Sequence, residues 1–319
     1  MALVGRRVLV TGGNGFIGSH LVERLLLGSQ EVVVPYIERD KRSFFISNKF
    51  HKKTVFVPCD LRNRKKVLDL VKGYKIDFIF HLAALPIVDF ALKYPLDTYD
   101  TNICGTLNVL EAARILGGVR GIIVTSTDKV YGKIKRASEK DPIGGDHPYE
   151  TSKASEDLIA QTYAKSYGMP IVVSRFGNVY GEGDLNFTRI VPGIMKSLVK
   201  KTPLNIRSSG KYLRDYVYVK DVIDATIALS LNTGKFSGEV FNVSSPENLS
   251  VIGLIKSVER ILDMKVKYKI LNIAYNEIPK QSVDFGKIKL KLGWSPKYSL
   301  NSVIGDVFLW YKEYFKKQI

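Results

Sequence analysis

The chain is short of several things a protein can be built on, and each shortage closes a route. Only two cysteines, Cys59 and Cys104, occur in 319 residues. A disulfide framework and a cysteine-based metal site are therefore excluded as organising elements. No apolar run approaches the roughly 20 residues needed to cross a bilayer, so no membrane partner is expected. The opening MALVGRRVLVTGG enters a strand pattern directly, with no apolar signal core and small-residue cleavage site. Scarce thiols and the missing signal core together predict a cytoplasmic protein. Acidic residues are outnumbered, 31 against 48 basic, for a net charge of +17. The basic residues are dispersed, with only short clusters such as Arg62, Arg64, Lys65 and Lys66. No nucleic-acid motif accompanies them, so the excess reads as a solvated surface that favours small polyanions, not as a nucleic-acid interface.

What is present is an alternation. Apolar residues make up 45% and charged residues 25%, which suits a globular α/β unit with a smaller attached lobe. Strand patterns at 7–11, 31–36, 54–58, 76–80, 119–125 and 171–175 are interleaved with helical patterns at 16–27, 95–116 and 147–167. Repeated β–α units imply a parallel sheet covered on both faces, and right-handed crossovers wind it into a doubly wound, Rossmann-type sheet. Past Arg175 the pattern loosens. Helices are expected at 190–200, 249–262 and 299–315, a strand and helix at 217–230, and short strands at 240–243 and 266–270.

The first strand runs into Thr11-Gly12-Gly13-Asn14-Gly15-Phe16-Ile17-Gly18, which opens the first helix. Gly12 permits a tight turn, Gly15 lets backbone approach a pyrophosphate, and Gly18 lets helix and strand pack closely. The helix N-terminus, with Phe16 and Ile17, then offers free N–H groups to phosphate. A dinucleotide cofactor is expected here. Glu38 could hold its ribose hydroxyls, and Arg39, Lys41 or Arg42 could meet a 2′-phosphate, so NAD and NADP both stay open. Asp60 and Leu61 would suit the adenine ring. Leu82, Ala83 and Ala84 supply small side chains where backbone passes close to the cofactor. Residues 1–176 are expected to form the dinucleotide-binding domain. Residues 177–319 would mainly form the ligand-binding lobe, with 217–243 returning to the first domain.

Tyr149 and Lys153 are four residues apart on a predicted helix and share a face. An ammonium beside a phenol stabilises phenolate, so Lys153 is expected to draw the tyrosine pKa from about 10 toward working pH. Such a phenol can take or return the proton of a substrate hydroxyl while a hydride moves. The fifth strand ends in Thr125-Ser126-Thr127-Asp128-Lys129, at the carboxyl edge where doubly wound folds bind ligands. The Thr127 hydroxyl can share the proton handled by Tyr149.

The segments TGGNGFIGS, HLAA, TNICGTLNVLEAAR, STDKVYG, YETSK, RFGNVYG and LRDYVYVKDV occur in that order. As a set they resemble the extended short-chain dehydrogenase/reductase family of nucleotide-sugar epimerases and dehydratases, from about Val8 to the LGWSPKYSL segment. The resemblance implies a Rossmann domain with NAD or NADP, a smaller lobe holding a nucleoside-diphosphate sugar, and a catalytic set of Thr127, Tyr149 and Lys153. Asn178 and Arg214 match positions that contact the substrate diphosphate. Arg189 and Arg207 are the further substrate-binding candidates, since guanidinium forks suit phosphate oxygens. Asp128 after the hydroxyl residue resembles the 4,6-dehydratases, and Thr-Asp-Lys resembles the CDP-glucose 4,6-dehydratase version. There Asp128 would protonate the leaving C6 hydroxyl and Lys129 would act as, or support, the C5 base. LRDYVYVKDV looks more like the epimerases, so a 4-epimerase is the second reading, and UDP, GDP and dTDP sugars stay open. The family also implies a homodimer in which the helices at 97–116 and 147–167 pair across a two-fold axis.

Overall fold

The computed structural model describes residues 3–273 and 278–317. In its first half the chain runs through β1 (Arg7–Thr11), α1 (Phe16–Leu25), β2 (Glu31–Tyr36), α2 (Phe44–Ser47), β3 (Val55–Pro58) and α3 (Arg64–Gly73). It continues through β4 (Phe78–His81), α4 (Val88–Lys93), α5 (Pro95–Tyr99), α6 (Gly105–Leu116), β5 (Gly121–Thr127), α7 (Pro148–Tyr167) and β6 (Ile171–Phe176). The second half holds β7 (Asn178–Tyr180), α8 (Ile190–Lys200), β8 (Leu204–Ile206), β9 (Leu213–Tyr218), α9 (Val219–Ser230) and β10 (Val240–Val243). It ends with β11 (Asn248–Ser250), α10 (Val251–Leu262), β12 (Tyr268–Ile270), α11 (Gly286–Leu292) and α12 (Leu300–Lys316).

Seven strands form one sheet in the order β10-β6-β5-β4-β1-β2-β3. Every neighbouring pair in it is parallel. Parallel strands need helices on both faces, which is why their sequences are continuous apolar runs and not alternating ones. On one face Val8, Val10, Val34 and Ile123 pack with Leu21, Val22 and Leu25 of α1 and with Val222 and Ile223 of α9. On the other, Leu9, Val33, Ile79 and Val124 pack with Leu70 of α3, Leu110 of α6 and Ala160 of α7. A separate apolar cluster in the second half joins Ile194 and Met195 of α8, Leu254 and Ile255 of α10, and Ile304, Val307 and Tyr311 of α12. Strands β11, β9 and β7 form a small sheet beside it, and β12 pairs with β8. Of the stretch 217–243, β10 lies in the large sheet, whereas β9 belongs to the small one.

Two departures from the expected elements bear on the site. The helix expected over 95–116 is broken by one π turn, Asp100–Cys104, between α5 and α6. Such single wide turns recur near functional sites, and here the turn carries the buried Asn102. Strand β5 runs on to Thr127, past its expected end at 125, because Thr125, Ser126 and Thr127 stay in register with Ser174, Arg175 and Phe176 of β6. Threonine is a good strand residue, and an intact ladder outweighs its polarity.

Candidate active site

One cavity of about 1230 Å³ opens along the carboxyl edge of the large sheet, between it and the second lobe. Ligand pockets for one small molecule run to about 300–1000 Å³, so this volume suits two ligands side by side. Gly12, Gly15, Phe16, Ile17, Gly18, Asp60, Leu61, Leu82, Ala83 and Ala84 border it. So do Thr127, Asp128, Lys129, Tyr149, Lys153, Asn178, Arg189, Arg207 and Arg214, whereas Arg39, Lys41 and Arg42, named for a 2′-phosphate, do not.

The floor is built from backbone. Gly12 has a positive φ of 69°, and a Cβ there would meet the backbone of Leu82 and Ala83 at 2.8–2.9 Å. A Cβ on Gly18 would lie 2.1 Å from the Gly12 carbonyl oxygen, so the helix can seat against the turn only as glycine. At Gly15 the nearest atom would be 3.2 Å away, a milder demand. The result is a cradle of N–H groups at the start of α1, which has no acidic residue in its first turn. That arrangement fits the pyrophosphate of a dinucleotide. Glu38 borders the cavity, with its carbonyl accepting from the Asn14 side chain at 3.0 Å. Arg39 instead lays its guanidinium over the rings of Tyr36 and Phe56, and Arg42 is paired with Asp40. The two arginines that could read a 2′-phosphate are thus engaged elsewhere. Asp60 is held below the usual carboxylate range by its forked bonds from Arg62.

Beneath the reacting end lies a buried polar tie. His81, at the end of β4, bonds Thr11 of β1 and Thr106 of α6, each at 2.8 Å. Burial, with help from the Lys153 charge, pushes its pKa down to about 3, so it stays neutral and serves as a strut. Asn102, in the π turn, accepts from Leu85 N at 2.7 Å and donates to Ser152 Oγ at 2.9 Å. It thereby joins the loop after β4 to α7 beside Tyr149 and Lys153.

Thr127 closes β5, and its hydroxyl donates to Asp128 Oδ1 at 3.1 Å. Tyr149 sits in the first turn of α7, after Pro148 at a position where proline costs no helix bond, and it borders the cavity together with Thr127. One turn on, the Lys153 ammonium donates to the Thr125 carbonyl at 2.7 Å and to Glu156 Oε2 at 2.5 Å. The expected fall in the Tyr149 pKa is corrected here. Burial pushes the phenol well above its ordinary value; Arg189 and Thr127 pull it down, while Glu156 and Asp128 push it up. The reason is first the burial of the phenol, which disfavours its charged form, and second the two acidic groups near it.

Asp128 is 2% exposed, and its Oδ2 has no partner among the described residues. Burial raises its pKa to about 6, against the pull of Lys129, Thr127 and Arg214, with Asp215 adding to the rise. It is therefore a carboxyl that can hold a proton near neutrality. Around the wider end, Arg189 is bonded to Asp184 at 3.1 Å and Arg207 to Asp89 at 2.5 Å. Arg214 donates to the Leu213 carbonyl at 2.8 Å, and Asn178 to the Asp215 carbonyl at 3.2 Å.

The sequence profile of the GDP-mannose 4,6 dehydratase family matches residues 9–307. The chain belongs to this family. It is similar to a human protein named dTDP-D-glucose 4,6-dehydratase, 31% identical over 326 residues, 97% of this chain and 91% of that one. A dTDP-glucose 4,6-dehydratase from Streptomyces venezuelae, solved with NAD bound, superposes with a TM-score of 0.87 at 27% identity, over 96% of this chain and 97% of that one. A UDP-glucose 4-epimerase from Thermotoga maritima, solved with UDP-glucose, gives 0.84 at 29% identity, over 98% and 99%. The chain is thus a sugar-nucleotide enzyme of the extended short-chain dehydrogenase/reductase group, with the nucleotide-binding fold expected from its glycine turn.

Within the family frame, sequence reasoning overlooked three residues. Asn102 was hidden by the π turn, which no periodicity announces. His81 stood in the HLAA segment without a visible partner, because Thr11 and Thr106 lie far from it in sequence. Glu156 was readable: three residues past Lys153, it shares that residue's helix face.

Proposed function

We propose that the chain is an NAD-dependent nucleoside-diphosphate-hexose 4,6-dehydratase, with CDP-glucose the favoured substrate. The observation that carries the reading is Asp128: a buried carboxyl with an unpartnered oxygen, bonded to Thr127 and bordering the cavity. A 4-epimerase needs only a proton shuttle at C4. A dehydratase also needs an acid for the C6 hydroxyl, and a carboxyl whose pKa is raised to about 6 can supply it. Thr-Asp-Lys in this place is what favours the CDP sugar.

When bound on the glycine floor, NAD would supply the hydride acceptor for C4 and the hydride donor for C6. Tyr149 would take the C4 hydroxyl proton, with the Thr127 hydroxyl sharing it. Lys153 would hold the cofactor ribose and the field around the phenol. Asp128 would give its proton to the departing C6 hydroxyl, and Lys129 would take, or help take, the C5 proton. Arg189, Arg207, Arg214 and Asn178 would hold the diphosphate and sugar, by exchanging their present partners for phosphate oxygens. Engagement of Arg39 and Arg42 elsewhere, with Glu38 on the cavity wall, supports NAD over NADP.

The test is incubation of the protein and NAD with CDP-, dTDP-, UDP- and GDP-hexoses. Appearance of a 4-keto-6-deoxy product, seen by its alkaline absorbance, is the expected result. Interconverted hexoses without loss of water would establish the 4-epimerase reading, which the epimerase-like LRDYVYVKDV segment keeps in play. We further propose a homodimer. Leu96 of α5, Ile115 of α6, and Leu158 and Tyr167 of α7 are exposed apolar side chains on the helices expected to pair. Light scattering of the parent and of a Leu96→Glu, Leu158→Glu variant would test it, with a dimer and a monomer expected.

A further inference from the structure

Lys153 carries a charge in a nearly dry place, 4% exposed, and the means by which it is held there is specific. An ammonium has three N–H donors. One is taken by the Thr125 carbonyl on β5 and one by Glu156 Oε2 on its own helix. Lys153 and Thr125 border the cavity, whereas Glu156 is not among the residues that do. Glu156 is 0% exposed, and its second oxygen, Oε1, has no partner among the described residues. A buried carboxylate with half its acceptors unused is poor packing. An apolar side chain of similar volume would usually cost the fold less. Stability therefore does not account for this group, and its contact with Lys153 does.

We propose that Glu156 is a positioning residue that anchors the Lys153 ammonium, leaves one N–H to serve the cavity, and tempers the field that ammonium exerts on Tyr149. The inference rests on Tyr149 and Lys153 being the proton-handling pair of the proposed function. With two donors committed, the ammonium cannot swing about its Cε–Nζ bond, so the third N–H has one direction. Burial raises the Glu156 carboxyl to about 7 against the pull of Lys153, so above that pH, where the phenol titrates, it sets charge against charge. Its presence pushes the Tyr149 phenol up, alongside burial and Asp128, while Arg189 from the start of α8 pulls it down. The other groups packed around α7 are accounted for. Asp157 of α7 is paired with Arg175 of β6, and His81 of β4 is neutral. Glu111 of α6 is bonded to Arg114 and to Tyr163, farther along α7. Asp97 and Asp100, before α6, face Arg62, and Asp89 of α4 is held by Arg207.

The test separates anchor from charge. Ionisation of Tyr149 is read in NAD-loaded, sugar-free protein as the ultraviolet difference between each variant and the same variant carrying Tyr149→Phe. Glu156→Gln keeps an acceptor and removes the charge, so the phenol midpoint is expected to fall by about one pH unit. Glu156→Asp keeps the charge and shortens the arm. Its midpoint should stay, while turnover of the accepted sugar nucleotide falls about tenfold or more, as expected when a catalytic group is displaced by an ångström. An unmoved midpoint in Glu156→Gln, or parental turnover in Glu156→Asp, overturns the proposal. If no sugar nucleotide reacts with the parent protein, the proposed function fails while the midpoint result still stands on its own.

Discussion

The two ends of the cavity are built from different materials. The cofactor end is backbone: Gly12 and Gly18 press main chain against main chain, and Leu82, Ala83 and Ala84 keep side chains out of the way. The end proposed for the sugar is charged side chains, most of them already held: Arg207 by Asp89, Arg189 by Asp184, Asp128 by Thr127. Backbone geometry can read only what all dinucleotides share, and it tolerates no added atom. Side chains can be exchanged without refolding the chain, so discrimination between sugars and bases belongs to that end. This difference explains why the cofactor could be read from the sequence and the nucleotide base could not.

The largest effect that would break the comparison concerns the glycines. With a Cβ 2.1 Å from the Gly12 oxygen, Gly18→Ala must move backbone against backbone. Overpacking of that kind costs about 3 kcal/mol, so dinucleotide affinity should fall about a hundredfold in a calorimetric titration with NAD. Gly15→Ala, whose Cβ would lie 3.2 Å from the Gly12 oxygen, should fall less than about tenfold. Equal losses at the two positions would mean that the close seat of α1 is not what makes the floor.

Where the two ends meet, Tyr149→Phe should cut turnover by about a thousandfold, within the range for loss of a proton-transfer group, and leave NAD affinity unchanged. A matching loss of NAD affinity would move Tyr149 from the sugar end to the cofactor end.

At the sugar end, Asp128→Asn should stop water loss while leaving oxidation at C4 detectable as a change in the nicotinamide absorbance. Its effect on stability has the opposite sign. The carboxyl ionises near pH 4 in the unfolded chain and only at about 6 in the folded one. Below both values it contributes nothing. As pH rises between them the unfolded state ionises first, and above about 6 the folded state bears the full penalty, up to about 3 kcal/mol. Asp128→Asn should therefore melt higher than the parent at pH 8 and no higher at pH 4. The same titration predicts that dehydration by the parent weakens as pH rises through about 6, if proton donation limits the rate. A variant that loses both activity and stability at pH 8 would mark Asp128 as a structural residue.

Legibility followed the same division. The strand–glycine–helix unit was readable because local periodicity and a local steric need coincide within residues 7–25. The Tyr149–Lys153 pair was readable because helical spacing puts both on one face. The acidity of Tyr149 was not, since it depends on burial and on Glu156, Asp128 and Arg189 together. Neither was the π turn at Asp100–Cys104, which Asn102 uses to reach Leu85 and Ser152 across the sheet edge. Charged pairs joined across 118 residues, as Arg207 and Asp89 are, leave no trace in periodicity or spacing.

That last pair gives the smallest expected effect and the sharpest one. Arg207 and Asp89 are both about half exposed, so their ion pair adds little to folding, and Asp89→Ala should leave the melting temperature nearly unchanged. Its consequence lies in binding. Asp89 occupies the guanidinium that a diphosphate would take, so it competes with the substrate for about the energy of one surface pair. Removing it should lower KM for the nucleotide sugar about two- to fivefold with kcat unchanged. Rising salt should shrink that difference, since the competing pair is open to water and screened. Arg207→Ala should move KM the other way. A higher KM in Asp89→Ala would mean that the carboxylate itself holds the sugar, and that this end of the cavity is prepared for its ligand by attraction and not by competition.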